Sequence, residues 1–158
     1  MSGPFSIRSA TNGDCDAIRE LVFGVLHEHG LSPDPTSTDS DLNDVEKTYH
    51  QNGGCFDVLI DGNNAIIGSV AICRIEGHRC ELRKMYLNSD YRGKGLGKKL
   101  ALHGLMRARE LGFHRVELET ASVLRQAVAL YSSLGFKPFD PEHLSARCDR
   151  AMYLDLTA

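Results

Sequence analysis

The sequence predicts an α/β chain of the α+β type. Its centre is a mixed, mostly antiparallel sheet of about seven strands flanked by four helices, in the order β-α-α-β-β-β-α-β-α-β-β. Three observations carry that reading. Short segments that alternate apolar and polar residues, such as 5–10 and 116–120, mark strands. Apolar residues at helical spacing mark helices over 15–29 and 124–134. A long helical pattern over 98–111 bridges two strands, and a helical crossover makes the strands it joins parallel.

Residues 5–10 form the first strand. Thr11-Asn12-Gly13-Asp14 supplies turn and cap chemistry, with Asn12 or Asp14 placed to accept the orphan N–H groups of the helix over 15–29. Ile18, Leu21, Val22, Val25 and Leu26 recur along one face of that helix, and Gly30 stops it. Pro33 and Pro35 make 31–40 a loop, and 39–49 reads as a second, shorter, acidic helix capped by Asp39 or Ser40. Strands over 55–60 and 65–73 are joined by the hairpin signal Asp61-Gly62-Asn63-Asn64. A third strand, 79–87, follows the turn Glu76-Gly77-His78 and completes an antiparallel meander. In the crossover helix, Leu100, Ala101, Leu105, Ala108 and Leu111 share an arc that includes Gly104, a close-packing position. The strand 116–120 and the helix 124–134 come next, the latter stopped by Gly135. A sixth strand over 136–139, a loop over 140–147 and a last strand over 149–156 complete the order.

At 158 residues the chain has the length of one domain, 1–158, able to bury a single core. A net charge of −3 and a pI near 6.1 give no bulk attraction to nucleic acid or to an anionic membrane. Cys15, Cys55, Cys73, Cys80 and Cys148 are scattered without a C-x-x-C pair, the pattern of reduced thiols in a cytoplasm. Met1-Ser2-Gly3-Pro4 carries no apolar leader, and no run approaches membrane-spanning length. The histidines form no metal constellation, since His27-Glu28-His29 lacks the i, i+4 spacing that puts two ligands on one helical face. No metal is expected.

The chemistry concentrates between Glu81 and Lys98. A strand ends at Leu87, turns through Asn88-Ser89-Asp90, and enters Arg92-Gly93-Lys94-Gly95-Leu96-Gly97, which opens onto the crossover helix. Glycines let backbone N–H groups converge, and the helix start adds unpaired N–H groups with the positive dipole end behind them. Arg92, Lys94, Lys98 and Lys99 add positive charge, and a pyrophosphate satisfies the arrangement. The order Gly93-x-Gly95-x-Gly97 breaks the G-x-G-x-x-G spacing of dinucleotide-binding turns, and no G-x-x-x-x-G-K-[ST] run exists.

These residues resemble motif A of the GNAT superfamily of acyl-CoA-dependent N-acetyltransferases, (R/Q)-x-x-G-x-(G/A), at every fixed position. Ala127-Val128-Ala129-Leu130-Tyr131-Ser132-Ser133-Leu134-Gly135-Phe136 resembles the family's motif B, A-x-x-L-Y-x-x-x-G-F, and the order of elements matches along essentially the whole chain. The resemblance implies an open sheet whose two central parallel strands splay to admit the pantetheine of acetyl-CoA. It implies that Arg92, Gly93, Lys94, Gly95, Leu96, Gly97 and Lys98 bind the cofactor's pyrophosphate, and that backbone groups of Met85, Tyr86 and Leu87 bind its pantetheine arm. It assigns Tyr131 as the general acid for the departing thiolate, a phenol of pKa about 10 facing a thiol of pKa about 8.5. A glutamate at the place of Glu81 serves several members as general base; strand alternation puts Glu81 on the same face as Met85. Glu117 and Glu119 are rivals for that role. Many members have Asn where this chain has Leu124, so the resemblance does not carry that contact to the pantetheine over to this chain. Cys80 and Cys148 lack a nearby base pattern, and direct transfer needs no acyl-enzyme.

The acceptor is expected between the first two helices, their loop and the last hairpin. There Asp39, Asp41, Asp44 and Glu46 could attract a cationic amine, or Arg83, Lys84 and Arg147 a substrate carboxylate. The expected function is acetyl transfer to the primary amine of a small molecule or amino acid through a ternary complex. Transfer to a protein or peptide amine and a non-catalytic acyl-CoA sensor are the alternatives. Nucleic acid and membrane are not expected partners; a homodimer is left open, with no exposed apolar stripe to mark its interface.

Overall fold

The computed structural model describes residues 5–145 and 147–156; Met1–Pro4, read above as carrying no leader, and Ala146 of the last loop lie outside them. The elements are β1 (Ser6–Ser9), α1 (Cys15–Glu28), α2 (Val45–Thr48), β2 (Cys55–Ile60), β3 (Ile66–Glu76), β4 (Arg79–Leu87), α3 (Leu96–Glu110), β5 (Arg115–Thr120), α4 (Arg125–Ser133), β6 (Lys137–Pro138) and β7 (Arg150–Asp155). They form a seven-stranded sheet in the order β1-β2-β3-β4-β5-β7-β6. Among its described neighbours only β4 and β5 run parallel, as the crossover through α3 requires.

Each face of the sheet carries its own core. Ile18, Val22 and Leu26 of α1, with Leu42, Val45 and Tyr49, pack on Phe56, Val58, Ala71 and Cys73. On the other face Leu100, Leu105 and Ala108 of α3, with Tyr131 of α4, pack on Leu59, Val70, Ile72, Leu82, Val116 and Leu118. β2 lies between both layers and is buried along its whole length. Its one charged residue, Asp57, is held from α3 by His103 Nε2 at 2.6 Å and by Arg107 Nε at 3.2 Å.

Three expectations change. The segment 39–49 is not one helix but a 3-10 turn at Ser40–Asn43 followed by the single α-turn of α2. Asp44 divides them, because its carboxylate accepts Lys47 N–H at 2.9 Å and Asn12 Nδ2–H at 3.0 Å and so competes with a continuing helix. The sixth strand shrinks to Lys137–Pro138, since proline has no N–H to extend a ladder. α3 begins at Leu96, inside the glycine loop, because Gly95 at φ 78° supplies a left-handed cap.

A further change bears on the site. Ala71 pairs with Arg83 but Ser69 pairs with Tyr86, so two residues of β4, Lys84 and Met85, stand opposite Val70 alone. This is a β-bulge, and Lys84 adopts φ 51°, a conformation that costs a non-glycine residue on the order of 1 kcal/mol or more. The bulge inverts the alternation. Glu81, paired with Cys73, lies on the α1/α2 face, whereas Met85 packs in the α3/α4 core. Glu81 and Met85 are therefore on opposite faces, contrary to simple alternation.

Gly104 is a close-packing position, as expected. A Cβ there would lie 3.0 Å from Val70 Cγ2 and 3.3 Å from Leu82 Cδ1. Gly104→Val will overpack the α3–sheet contact and lower stability by about 2 kcal/mol, measurable as a drop in the urea midpoint at unchanged slope.

Candidate active site

The site begins where β4 and β5 part. Their parallel register runs Arg79↔Arg115, Cys80↔Val116, Glu81↔Glu117 and ends, although β4 continues to Leu87 and β5 to Thr120. Two connected cavities fill the opening. One, of about 350 Å³, is lined by Val25, His29, Leu87, Arg92, Gly97, Leu100 and Leu130. The other, of about 340 Å³, is lined by Thr38, Glu81, Arg83, Glu119, Tyr131, Arg147 and Cys148. Met85, Tyr86, Leu124 and Ala127 line both, so the cavities meet across these four residues.

The first cavity is a slot running from the glycine loop. Gly93 and Gly95 sit at φ 80° and 78°, with open space where a Cβ would stand. Tyr91 N–H and Arg92 N–H bond back to Asn88 and Ser89, and Lys99 N–H bonds Gly95. Between them, the six amides of residues 93–98 have no acceptor among the described residues. Exposed N–H groups converging at a helix start form an anion cradle. Lys94 and Lys98 are exposed beside it, Lys94 over the Tyr91 ring at 5.5 Å, and neither meets a carboxylate among the described residues. Arg92 differs: its guanidinium pairs with Glu28 of α1 at 3.0 Å and donates to Leu87 O at 3.2 Å. It clips the loop to the strand end and to α1, while its own N–H is taken by Ser89 O. Leu96 offers only its amide, as its side chain is in the core.

The second cavity holds both residues expected to do proton chemistry. Tyr131 is buried with its hydroxyl 3.9 Å from Met85 Sδ, and burial pushes its phenol up, so it keeps its proton through neutral pH. Glu81 is half-buried and ion-paired with Arg83; burial raises its pKa above the usual carboxylate value, with Arg83 offsetting part of the rise. Of the rivals, Glu117 is spent on Arg79 at 2.8 Å and Arg115 at 3.0 Å, which hold its pKa down. Glu119 accepts Ser145 N–H at 2.8 Å through one oxygen and also lines the cavity.

The acidic cluster is not a free attractor for an amine. Asp39 is fully buried, gripped by Arg147 at 2.8 and 2.9 Å, by Asp34 N–H at 2.8 Å and by Lys84 Nζ at 3.2 Å. Asp41 accepts the Tyr49 hydroxyl, Asp44 caps α2, and Glu46 accepts Asn12 N–H at 2.7 Å. By the same pairing Lys84 and Arg147 are already compensated, and of the three cations Arg83 alone contacts a carboxylate of the cavity, Glu81. Val25 and His29, which line the slot, carried no motif; their i, i+4 spacing marks a shared helix face but not what that face meets.

A sheet opened between parallel strands, an amide cradle at one end and a separate chamber at the other define a two-substrate group-transfer enzyme. Residues 23–136 match the Acetyltransferase (GNAT) family. An Escherichia coli protein described as the uncharacterized N-acetyltransferase YjgM is 39% identical over 139 residues, 85% of this chain and 83% of the relative. Human N-acetyltransferase 8 is 31% identical over 104 residues, 62% of this chain and 45% of the relative, so the chain spans under half of it. Among solved structures, a GNAT-family acetyltransferase from Staphylococcus aureus superposes with a TM-score of 0.91 at 23% identity, covering 98% of this chain and all of its own. YncA of Salmonella typhimurium, solved with its cofactor acetyl-CoA, shares the fold at TM-score 0.75 and 24% identity, covering 99% of this chain and 96% of its own. The chain belongs to the GNAT family of acetyl-CoA-dependent N-acetyltransferases.

Among the described residues no helix is long and apolar enough to cross a membrane, and no group of three or more His, Cys, Asp or Glu could hold a metal ion.

Burial alone would raise the Asp39 pKa, but Arg147, the Asp34 amide and Lys84 overrule it and bring it from 3.8 to about 2. A depressed carboxyl stabilises the fold above its unfolded pKa and loses that stabilisation as pH falls. Chemical unfolding between pH 5 and pH 2 will therefore show stability falling by about 2 kcal/mol through this residue, and Asp39→Asn will flatten that acid slope.

Proposed function

We propose that this protein moves an acetyl group from acetyl-CoA directly to the primary amine of a small molecule or amino acid, with both substrates bound at once. The observation that carries the reading is the meeting of slot and chamber at Met85, Tyr86, Leu124 and Ala127, with Tyr131 and Glu81 in the chamber wall. A donor and an acceptor entering from opposite sides need no covalent enzyme intermediate.

The cradle fits the cofactor because its acceptor-free amides and open glycine positions match a pyrophosphate. In this reading Gly93, Lys94, Gly95, Leu96, Gly97 and Lys98 hold that group, with the backbone of Arg92 at the edge. The backbones of Met85, Tyr86 and Leu87 hold the pantetheine arm as an added strand along the parted edge of β4. When bound, acetyl-CoA supplies an acyl group already activated toward an amine. In this reading a backbone amide of β4 near the bulge at Lys84 polarises the thioester carbonyl. Glu81 takes the acceptor's proton, directly or through water, and its raised pKa brings it closer to working pH. Tyr131 gives its proton to the departing thiolate.

A second reading, transfer to a peptide amine, draws support from one observation. Glu81, Arg83 and Glu119 also line a depression of about 700 Å³ bounded by Arg79, Glu117 and Phe139, so the chamber opens on its far side as well.

Thiol release from acetyl-CoA, measured against small amines, amino acids and peptides, tests both readings. Amine-dependent release establishes transfer and names the acceptor class; CoA bound by calorimetry without release on any acceptor sinks it. Tyr131→Phe will lower kcat about 100-fold while CoA affinity stays within about twofold. Glu81→Gln will lower kcat/KM by about 100-fold or more and remove the acid limb of its pH profile, whose midpoint in the wild type lies above the ordinary 4.5.

A further inference from the structure

The left-handed residue in β4 is a lysine, not a glycine, and its surroundings explain the choice. The Lys84 side chain is almost fully buried, only 7% exposed. Its ammonium lies 3.2 Å from Asp39 Oδ1, 3.3 Å from Asp41 Oδ1 and 3.3 Å from the carbonyl oxygen of Thr38. Both carboxylate contacts are ion pairs without hydrogen-bond alignment, the one hydrogen bond of the ammonium going to Thr38 O, and the buried Asp41 Oδ1 is left without a donor. The Lys84 carbonyl in turn accepts the Ser69 hydroxyl at 2.6 Å from β3. Thr38, Asp39 and Asp41 all belong to the segment between α1 and α2 that walls the acceptor chamber. Asp39 is tied in addition to Arg147, on the loop between β6 and β7, whose guanidinium also donates to Ser32 O at 3.2 Å. Charges along the chain Arg147, Asp39, Lys84, Asp41 alternate and balance, so the network is neutral though buried.

We propose that Lys84 is a positioning residue: its ammonium, gripped by Asp39 and Asp41, holds the bulge of β4 in place, so that the acceptor loop and the donor-side backbone are set by a single ionic junction. The bulge alone would be better served by glycine, which adopts φ 51° without strain. Lysine there is explained by what its head group reaches, and that is the far wall of the chamber. The junction joins three segments remote in sequence, near residues 39, 84 and 147, at the point where the strands part. The kinetic part of the inference rests on the acetyl-transfer reading; the structural part does not.

The decisive variant is Lys84→Gly, which relieves the backbone and removes the ammonium together. In the CoA-bound protein, hydrogen exchange of peptides covering residues 83–87 will speed up in Lys84→Gly and in Asp39→Asn. With an accepted amine, kcat will fall about ten- to a hundred-fold in each, while CoA affinity stays within about twofold. The combined variant will be no slower than the slower single variant within about twofold, because both changes break one junction. Unchanged exchange and kcat in Lys84→Gly would overturn the proposal, as would a loss of kcat matched by an equal loss of CoA affinity or a melted fold. Failure of the wild type to acetylate any amine would count against the transfer reading, and the exchange measurement would still decide the role of Lys84.

Discussion

Everything about this molecule depends on the point, just past Glu81, where two parallel strands stop pairing. A sheet closed at its centre would bury its backbone polar groups in a continuous ladder and leave nowhere for a ligand to lie. Parting the strands leaves N–H and C=O groups facing a gap, and a buried backbone group without a partner is costly. The chain places the gap where Leu124, which caps α4, and Ala127 within it cover one side, and it leaves the β4 edge unpaired beyond Glu81. The same opening holds the slot and the chamber and gives them a common wall.

The remaining features serve to keep that opening in one shape. Arg92 ties the glycine loop to α1 through Glu28, and Arg147 ties the last loop to Asp39. Helix α1 thereby touches both ends of the cleft, through Glu28 near the cradle and Leu26 at the chamber.

How much of this is legible in residue types follows from what residue types encode. Glycine at left-handed φ is written into the sequence, so the loop around Gly93 and Gly95 and its junction with α3 can be read directly. The face of α4 that carries Tyr131 follows from helical spacing, and the parallel pair follows from the crossover. The bulge at Lys84 cannot be read this way. Lysine has no preference for φ 51°, and the force that holds it comes from Asp39 and Asp41, more than forty residues earlier. One inserted residue then reverses strand alternation, and the face predicted for Met85 relative to Glu81 reverses with it. The acidic residues after α1 mislead for a related reason: composition marks them as solvent-facing charge, whereas long-range pairing makes Asp39 one of the most buried groups of the chain.

The five thiols carry a consequence of another kind. Cys15, Cys55, Cys73 and Cys80 are buried, and burial pushes Cys55 up to about 11 and Cys80 up to about 12. Cys148, half-buried in the chamber wall, is raised to about 11 as well. Nucleophilic reactivity belongs to the thiolate, so Cys55, Cys73, Cys80 and Cys148 are held in their less reactive form. Cys148 becomes a selective handle: the one half-buried thiol, slow to react, yet seated where a modest adduct would occupy the chamber beside Tyr131 and not the slot beside the glycine loop.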